Sequence, residues 1–270
     1  MVLIYGGSTS IILNSKSMNT SNQIRIGVLS TVLFIASWLL VIPLKVEAAI
    51  ISKPPANLGL VGYWSMDEGS SSYATDSSGN KNTGTLTNGP TWVDGKRGKA
   101  LNFDGVNDYV GVANNGSLQL ATALTVSVWF KTSDTTTDKG IIRKDTLIGT
   151  RYLYGIVLNN IAGTGKVYGQ YYNGTNFQVA STNAVNDGNW HQAIMTISGT
   201  TLTFYIDGAS QGTAVISGTQ GVPTGELDIG VLPPFTAGGR DGFINSRIDE
   251  VRIYNRALSA SEVQALYNSR

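Results

Sequence analysis

Few side chains in this sequence are of types, and at spacings, that do chemistry. Glu226-Leu227-Asp228 sets two carboxylates on one face of an extended segment, because side chains two residues apart share a face of a strand. Two carboxyl groups flanking a glycosidic bond, one an acid and one a nucleophile or base, are what sugar hydrolysis needs. Two acids alternating along a strand are equally a solvated edge. His191 is the only histidine. A Ser-His-Asp mechanism would have to use it, yet no Gly-x-Ser-x-Gly turn occurs, and Ala193, Met195 and Ile197 alternate beyond it as packing residues do. Its expected role is packing or a hydrogen bond to a loop, and no catalytic residue is assigned.

Two other sets suit binding. Tyr168, Tyr171, Tyr172, Asn173 and Asn176 cluster on one hairpin, with Tyr152 and Tyr154 on a candidate neighbouring strand. Planar rings that stack on a sugar, beside amides that bond its hydroxyls, make a shallow ligand site. Tyrosine is also an ordinary strand residue, so the cluster reads as plain sheet structure too. Trp64, Trp92, Trp129 and Trp190 are expected in packing. Asp76, Asn80, Asp104, Asp108 and Asp249 are hard oxygen donors of the kind Ca²⁺ takes. No EF-hand or Gly-Asp repeat accompanies them, and loop aspartates cap backbone N–H groups without any ion. No cofactor is required; Ca²⁺ is the one these residues could hold.

The elements that position these groups read as strands. Leu124, Val126, Val128 and Phe130 alternate with Thr125, Ser127, Trp129 and Lys131, and Leu202, Phe204 and Ile206 repeat that period of two. Further candidate strands are 60–66, 100–103, 109–112, 141–144, 152–158, 167–172, 190–197, 227–229 and 247–254. Asn173-Gly174, Asp187-Gly188, Asp207-Gly208 and Asp241-Gly242 supply tight turns between them. Glycine is abundant at 32 of 270 residues and cysteine is absent, so the fold holds by burial without disulfides. One helix is expected at the end, where Ser259 and Glu262 form a capping box ahead of Val263, Leu266 and Tyr267.

The chain divides into an N-terminal region (1–23, with Met18 as a possible start), a hydrophobic segment (24–48), a Pro-containing linker (49–57) and one β-domain (58–270). Ile26 to Leu44 runs 19 residues without a charge. Val46-Glu47-Ala48 then offers a signal-peptidase pattern with cleavage after Ala48. The segment is a cleaved signal or a retained transmembrane helix. Either implies an exported, extracellular or cell-surface domain that meets the membrane only through this segment. Setting aside Lys16, Arg25, Lys45 and Glu47 leaves 16 of 19 basic and 17 of 18 acidic side chains. So neutral a domain has no basic stripe for nucleic acid; a glycan or a cell-surface protein suits it better.

Several phrases then occur in a familiar order: Gly62-Tyr63-Trp64-Ser65-Met66-Asp67-Glu68-Gly69, Asp76-Ser77-Ser78-Gly79-Asn80, Leu101-Asn102-Phe103-Asp104-Gly105 with Asp108-Tyr109-Val110, and Leu124 to Phe130. Asn189-Trp190-His191, Phe204 to Gly208, and Ile248-Asp249-Glu250-Val251-Arg252-Ile253-Tyr254-Asn255-Arg256-Ala257-Leu258-Ser259 follow. Over about 58–268 the chain resembles the LamG-like jelly-roll family of the concanavalin A-like lectin and glucanase superfamily. The resemblance implies an all-β, two-sheet antiparallel jelly-roll sandwich with its first and last strands side by side; the short C-terminal helix and the N-terminal hydrophobic helix, read from the residues themselves, complete the expected architecture. Related jelly rolls carry calcium. Glucanases of this fold continue an acidic Glu-x-Asp strand to a second Glu, whereas Ile229-Gly230-Val231-Leu232 follow here. The expected function is a non-catalytic, secreted or surface-anchored module binding a carbohydrate or cell-envelope ligand. The alternatives are a glycoside hydrolase-like enzyme of the same fold and a structural, adhesin-like, self-assembling or protein-binding subunit.

Overall fold

The computed structural model describes residues 57–146, 153–158, 163–232 and 240–269. The hydrophobic segment, the linker up to Ala56 and Tyr152 lie outside the described residues. Among these residues no helix is long and apolar enough to cross a membrane.

Alternating burial along short segments builds sixteen strands among the described residues: β1 (Leu60–Trp64), β2 (Tyr73–Ala74), β3 (Gly84–Thr87), β4 (Thr91–Asp94), β5 (Lys99–Asp104), β6 (Tyr109–Val112), β7 (Ala123–Thr132) and β8 (Lys139–Lys144) in the first half. β9 (Leu153–Leu158), β10 (Val167–Tyr172), β11 (Asn176–Ala180), β12 (Trp190–Ser198), β13 (Thr201–Ile206), β14 (Ala209–Val215), β15 (Leu227–Ile229), β16 (Asn245–Tyr254) and helix α1 (Ala260–Asn268) complete it. The first sheet runs β14-β13-β12-β7-β16-β5-β4, with β1 also on β16; the second runs β11-β10-β9-β8-β15-β6-β3-β2. β16 pairs with β5 through Asn245 to Ile248 and with β1 through Val251 to Tyr254. The first and last strands of the sandwich are therefore neighbours, as the resemblance implied.

The core is the sum of the inward faces. Leu124, Val126, Val128 and Phe130 of β7 and Ala193, Met195 and Ile197 of β12 meet Tyr154, Ile156, Leu158, Val167 and Tyr171 of the second sheet in one cluster. Removing so much apolar surface from water is what holds a cysteine-free sandwich together. One part of the outer face of the first sheet is covered by α1, whose Val263 and Leu266 pack on Ile194, Tyr205, Tyr254 and Leu258. Tyr267 stacks on Trp129 at 5.6 Å between ring centroids. Ser259 and Glu262 make the expected capping box.

The long motif on β16 is a lock. Asp249 is fully buried and takes the backbone N–H of Arg97 at 2.9 Å, across 152 residues of sequence. Glu250 holds the Arg97 guanidinium at 3.0 Å and accepts from the Tyr63 hydroxyl at 2.9 Å. Thr125 donates to the Arg256 carbonyl at 2.8 Å and accepts from the Leu258 N–H at 2.9 Å. These contacts tie the β4–β5 hairpin, β1, β7 and the start of α1 to one strand.

Five strands carry no signal in the sequence: β2, β3, β4, β11 and β14. β14 reads Ala-Ser-Gln-Gly-Thr-Ala-Val and lies on an exposed edge, with no apolar alternation to betray it.

Candidate functional site

The period of two that builds the core also builds a second surface from the same strands. Where Tyr154, Ile156, Val167 and Tyr171 point inward, Leu153, Gly155, Val157, Tyr168, Gln170 and Tyr172 lie on the opposite, outer face of the second sheet. Cross-strand register sets a polar row across that face: Gln178 on β11, Gln170 on β10, Gly155 on β9, Arg143 on β8, Asp228 on β15 and Gly111 on β6. Gln170 donates to Gln178 at 2.9 Å, and Asn176 donates to the same Gln178 oxygen at 3.1 Å. Arg143 lies 3.8 Å from Asp145, and both are almost wholly buried.

A cavity of about 580 Å³ opens on this face, a volume that suits a small ligand. Leu153, Val157 and Leu232 give it an apolar floor; Tyr172, Gln170 and Asn176 stand at one side. Its charges balance, with Lys139 and Arg143 against Asp138 and Asp241. Two glycines shape it. Gly155 sits between Gln170 and Arg143, and a Cβ there would come within 2.5 Å of the Ile142 carbonyl. Gly242, at φ +61, lies where a Cβ would meet the Asp138 carbonyl at 2.3 Å, so only glycine closes that wall.

Beyond Arg143 the row ends in a charged latch. Asp228 is 1% exposed and receives the Arg240 guanidinium at 3.1 and 3.2 Å; Arg240 also engages Glu226 and lies over the Tyr109 ring at 4.3 Å. Burial raises the Asp228 carboxyl to about 6, against the opposing pull of Arg240. Among the described residues its second oxygen has no hydrogen-bond partner. Across β8 and β15 the field of Asp145 reaches it. The acidic pair of the sequence is therefore real in space, but both members are shared by one arginine.

The hairpin tyrosines divide between faces. Tyr168 packs on Val157 and Leu232, and Tyr172 and Asn176 line the cavity. Tyr154 is in the core with its hydroxyl donating to the Leu118 carbonyl at 2.8 Å, and burial pushes its ionisation up. Tyr171 is in the core as well, accepting from the Gly221 N–H at 3.1 Å. Asn173 braces the hairpin tip, donating to the carbonyls of Ser217 at 2.8 Å and Thr219 at 3.0 Å. Arg143, Gln170 and Gln178 carry the outer row and were missed; the alternation through Tyr168 and Tyr172 would have found Gln170.

The five oxygen donors named for Ca²⁺ all make hydrogen bonds within the protein. Asp76 is filled by the N–H groups of Tyr63, Ser78 and Asn82 at 2.9, 2.8 and 2.8 Å and by the Ser78 hydroxyl. Asn80 bonds Ser78, Asp104 accepts from Val106 N–H at 2.8 Å, and Asp108 accepts from Asp104 N–H at 3.1 Å. Asp249 serves the lock described above. Among the described residues no three acidic or histidine side chains converge as metal ligands do.

His191 is held by loops. Its Nδ1 meets Asp207 at 2.7 Å and its Nε2 meets Asp187 at 3.1 Å. The Asp207 bond, chiefly, raises its proton affinity. Burial likewise raises Asp228 to about 6 and Asp249 to about 7. In all three the folded state keeps protons that the unfolded chain releases, so stability falls as pH rises. For the carboxyls the loss starts above about 4, and for His191 above about 6.5, each ending past its folded value. Asp187 and Glu262, lowered to about 2, act oppositely, but only as pH falls below the usual carboxylate range. The thermal midpoint should therefore peak on the acid side of neutrality and decline towards pH ~8. A midpoint that climbs over that span would contradict these assignments.

A laminin G family model, described as the concanavalin A-like lectin/glucanases superfamily, matches residues 104–264, more than half of the chain. The chain belongs to that superfamily. Strands β1 to β5, which precede or only touch the matched span, complete the same sandwich. No curated protein matches the sequence. Among solved structures, the binding domain of Paraclostridial Mosquitocidal Protein 1 is similar at TM-score 0.62 and 19% identity, over 79% of this chain and 53% of that one. Domain 4 of the GH43 extracellular arabinanase AbnA from Geobacillus stearothermophilus, solved with arabinotriose, is similar at 0.61 and 21%, over 77% and 98%. Trypanosoma rangeli sialidase, solved with sialic acid, is similar at 0.59 and 15%, over 77% and 32%. The chain thus spans about half of the first solved chain, nearly all of the second, itself a single domain, and about a third of the third. At these identities the likeness is one of fold, and this superfamily fold carries binding modules and glycoside hydrolases alike.

Proposed function

We propose that the outer face of the second sheet binds a neutral oligosaccharide, and that the chain is a non-catalytic carbohydrate-binding module, exported and either released or held by its N-terminal segment. One observation carries this reading: a charge-balanced cavity with an apolar floor, the Tyr172 ring at its side and a row of amide and guanidinium donors across it. A sugar presents the complement, an apolar ring face edged by hydroxyls. The neighbour solved with arabinotriose supports it by analogy of fold. A neutral-glycan array probed with wild-type protein and with the Gln170→Ala/Tyr172→Ala double variant tests it. Wild-type retention lost in the variant is expected; no neutral glycan retained by the wild type would overturn it.

A hydrolase reading rests on the raised Asp228 carboxyl near Asp145. It requires new reducing ends from an oligosaccharide, abolished by Asp228→Asn. The module reading requires reversible binding with the oligosaccharide intact.

A further inference from the structure

The outer face of the first sheet carries two cations that the fold does not neutralise. Lys131 on β7 and Arg247 on β16 are direct cross-strand partners, so their side chains start about 5 Å apart on one face. Like charges so placed destabilise an antiparallel pair. Among the described residues neither side chain has an ion pair or a hydrogen bond. Asp94, whose carboxylate feels Arg247, is already paired with Lys99 at 2.9 Å.

Both cations line a cavity of about 540 Å³, and Lys139 adds a third. Fourteen of the described residues line it, and all of these except two glycines are polar or charged. The two acids among them are engaged by the backbone: Asp134 accepts from Thr136 N–H at 2.8 Å and Asn245 N–H at 3.2 Å, and Asp104 from Val106 N–H at 2.8 Å and Asn107 N–H at 3.4 Å. An oxyanion between Lys131 and Arg247 would turn their repulsion into two charge-assisted hydrogen bonds.

We infer that this cavity binds the sulfate or carboxylate group of an acidic polysaccharide. Asn102, Asn245, Ser133 and Thr135 on its walls suit ring hydroxyls, whereas a lining without apolar side chains gives a peptide no anchor. Three cations in one cavity are not the basic stripe that follows a nucleic acid backbone. The site is separate from the outer face of the second sheet; among the described residues Lys139 alone lines both cavities.

The test is affinity electrophoresis of the full chain in neutral detergent at physiological salt, through dextran sulfate, polygalacturonate or plain dextran. The wild type should be retarded by one or both polyanions; sulfate alone or carboxylate alone would name the source. Lys131→Gln and Arg247→Gln should each weaken retardation about tenfold or more, the loss of one charge-assisted bond. Their thermal midpoints should hold or rise without ligand, because each removes a like-charge repulsion. Lys81→Gln, an exposed cation elsewhere, should change nothing. Equal retardation of the wild type and the Lys131→Gln/Arg247→Gln double variant, an equal loss in Lys81→Gln, or no retardation of the wild type by either polyanion would each overturn the inference. Neutral-glycan binding should survive in the double variant, so the failure of this site and of the first are told apart.

Discussion

Alanine at Tyr171 and alanine at Tyr172 are expected to fail in opposite ways. Tyr171 is fully buried between the sheets and its hydroxyl takes the Gly221 N–H at 3.1 Å. Truncation leaves a ring-sized cavity and strips that loop of its acceptor, a loss of about 3–5 kcal/mol. Tyr172, one residue on, faces the other way and is only half-buried at the cavity wall. Its truncation should leave the thermal midpoint within a few degrees while costing sugar affinity. With Gln170→Ala added, the lost stacking and one lost hydrogen bond amount to about 2–3 kcal/mol, or about 30- to 150-fold in affinity. Denaturant unfolding and calorimetric titration of the variants against the best array ligand measure the two effects. Destabilisation by Tyr172→Ala with unchanged affinity would reverse the assignment of faces.

Arg240→Ala should be strongly destabilising, and its cost should depend on pH. It takes from Asp228, buried and raised to about 6 even with its partner present, the guanidinium that hydrogen-bonds it, and leaves only the more distant field of the Lys144 ammonium. Breaking such a pair costs about 3 kcal/mol. The cost is set by the charged form, so the sign with pH follows directly. At pH ~7.5 the folded state must either hold a poorly compensated carboxylate or take up a proton that the unfolded chain has lost, and the variant is weakest there. Near pH 5 the carboxyl is protonated in the fold and most of the deficit should vanish. Asp228→Asn in the Arg240→Ala background should restore stability at the higher pH. Urea unfolding at both pH values checks this, and a deficit independent of pH would show that Arg240 acts through its packing on Tyr109 instead.

The sandwich was legible because its signals are local. Apolar alternation in β7, β12 and β13 and the capping box at Ser259 each depend on residues within a few positions, and the long motif on β16 is recognisable even though its purpose, the lock on Arg97, spans the chain. The edge strand β14 and the short β2 to β4 were silent, since each brings about one apolar side chain to the core, Ala214, Ala74, Leu86 and Trp92, and one residue shows no alternation. The site was half legible. Tyrosines and amides on the β10–β11 hairpin pointed to the right sheet, but treating Tyr171 and Tyr172 as one cluster ignored the period of two that separates them. Gln170, Arg143 and Asp228 form a row only through register across four strands, which no stretch of sequence contains. The opposed pair Lys131 and Arg247 is of the same kind: 116 positions apart in a near-neutral chain, adjacent only because β7 pairs with β16.

The most direct test of the carbohydrate face is amide hydrogen exchange of the full chain with and without a saturating neutral oligosaccharide found on the array. Protection should concentrate on β8 to β11 and on the 240–242 wall, with β12 to β14 and α1 unchanged. Protection confined to the first sheet, or spread evenly over both, would contradict the placement of the site.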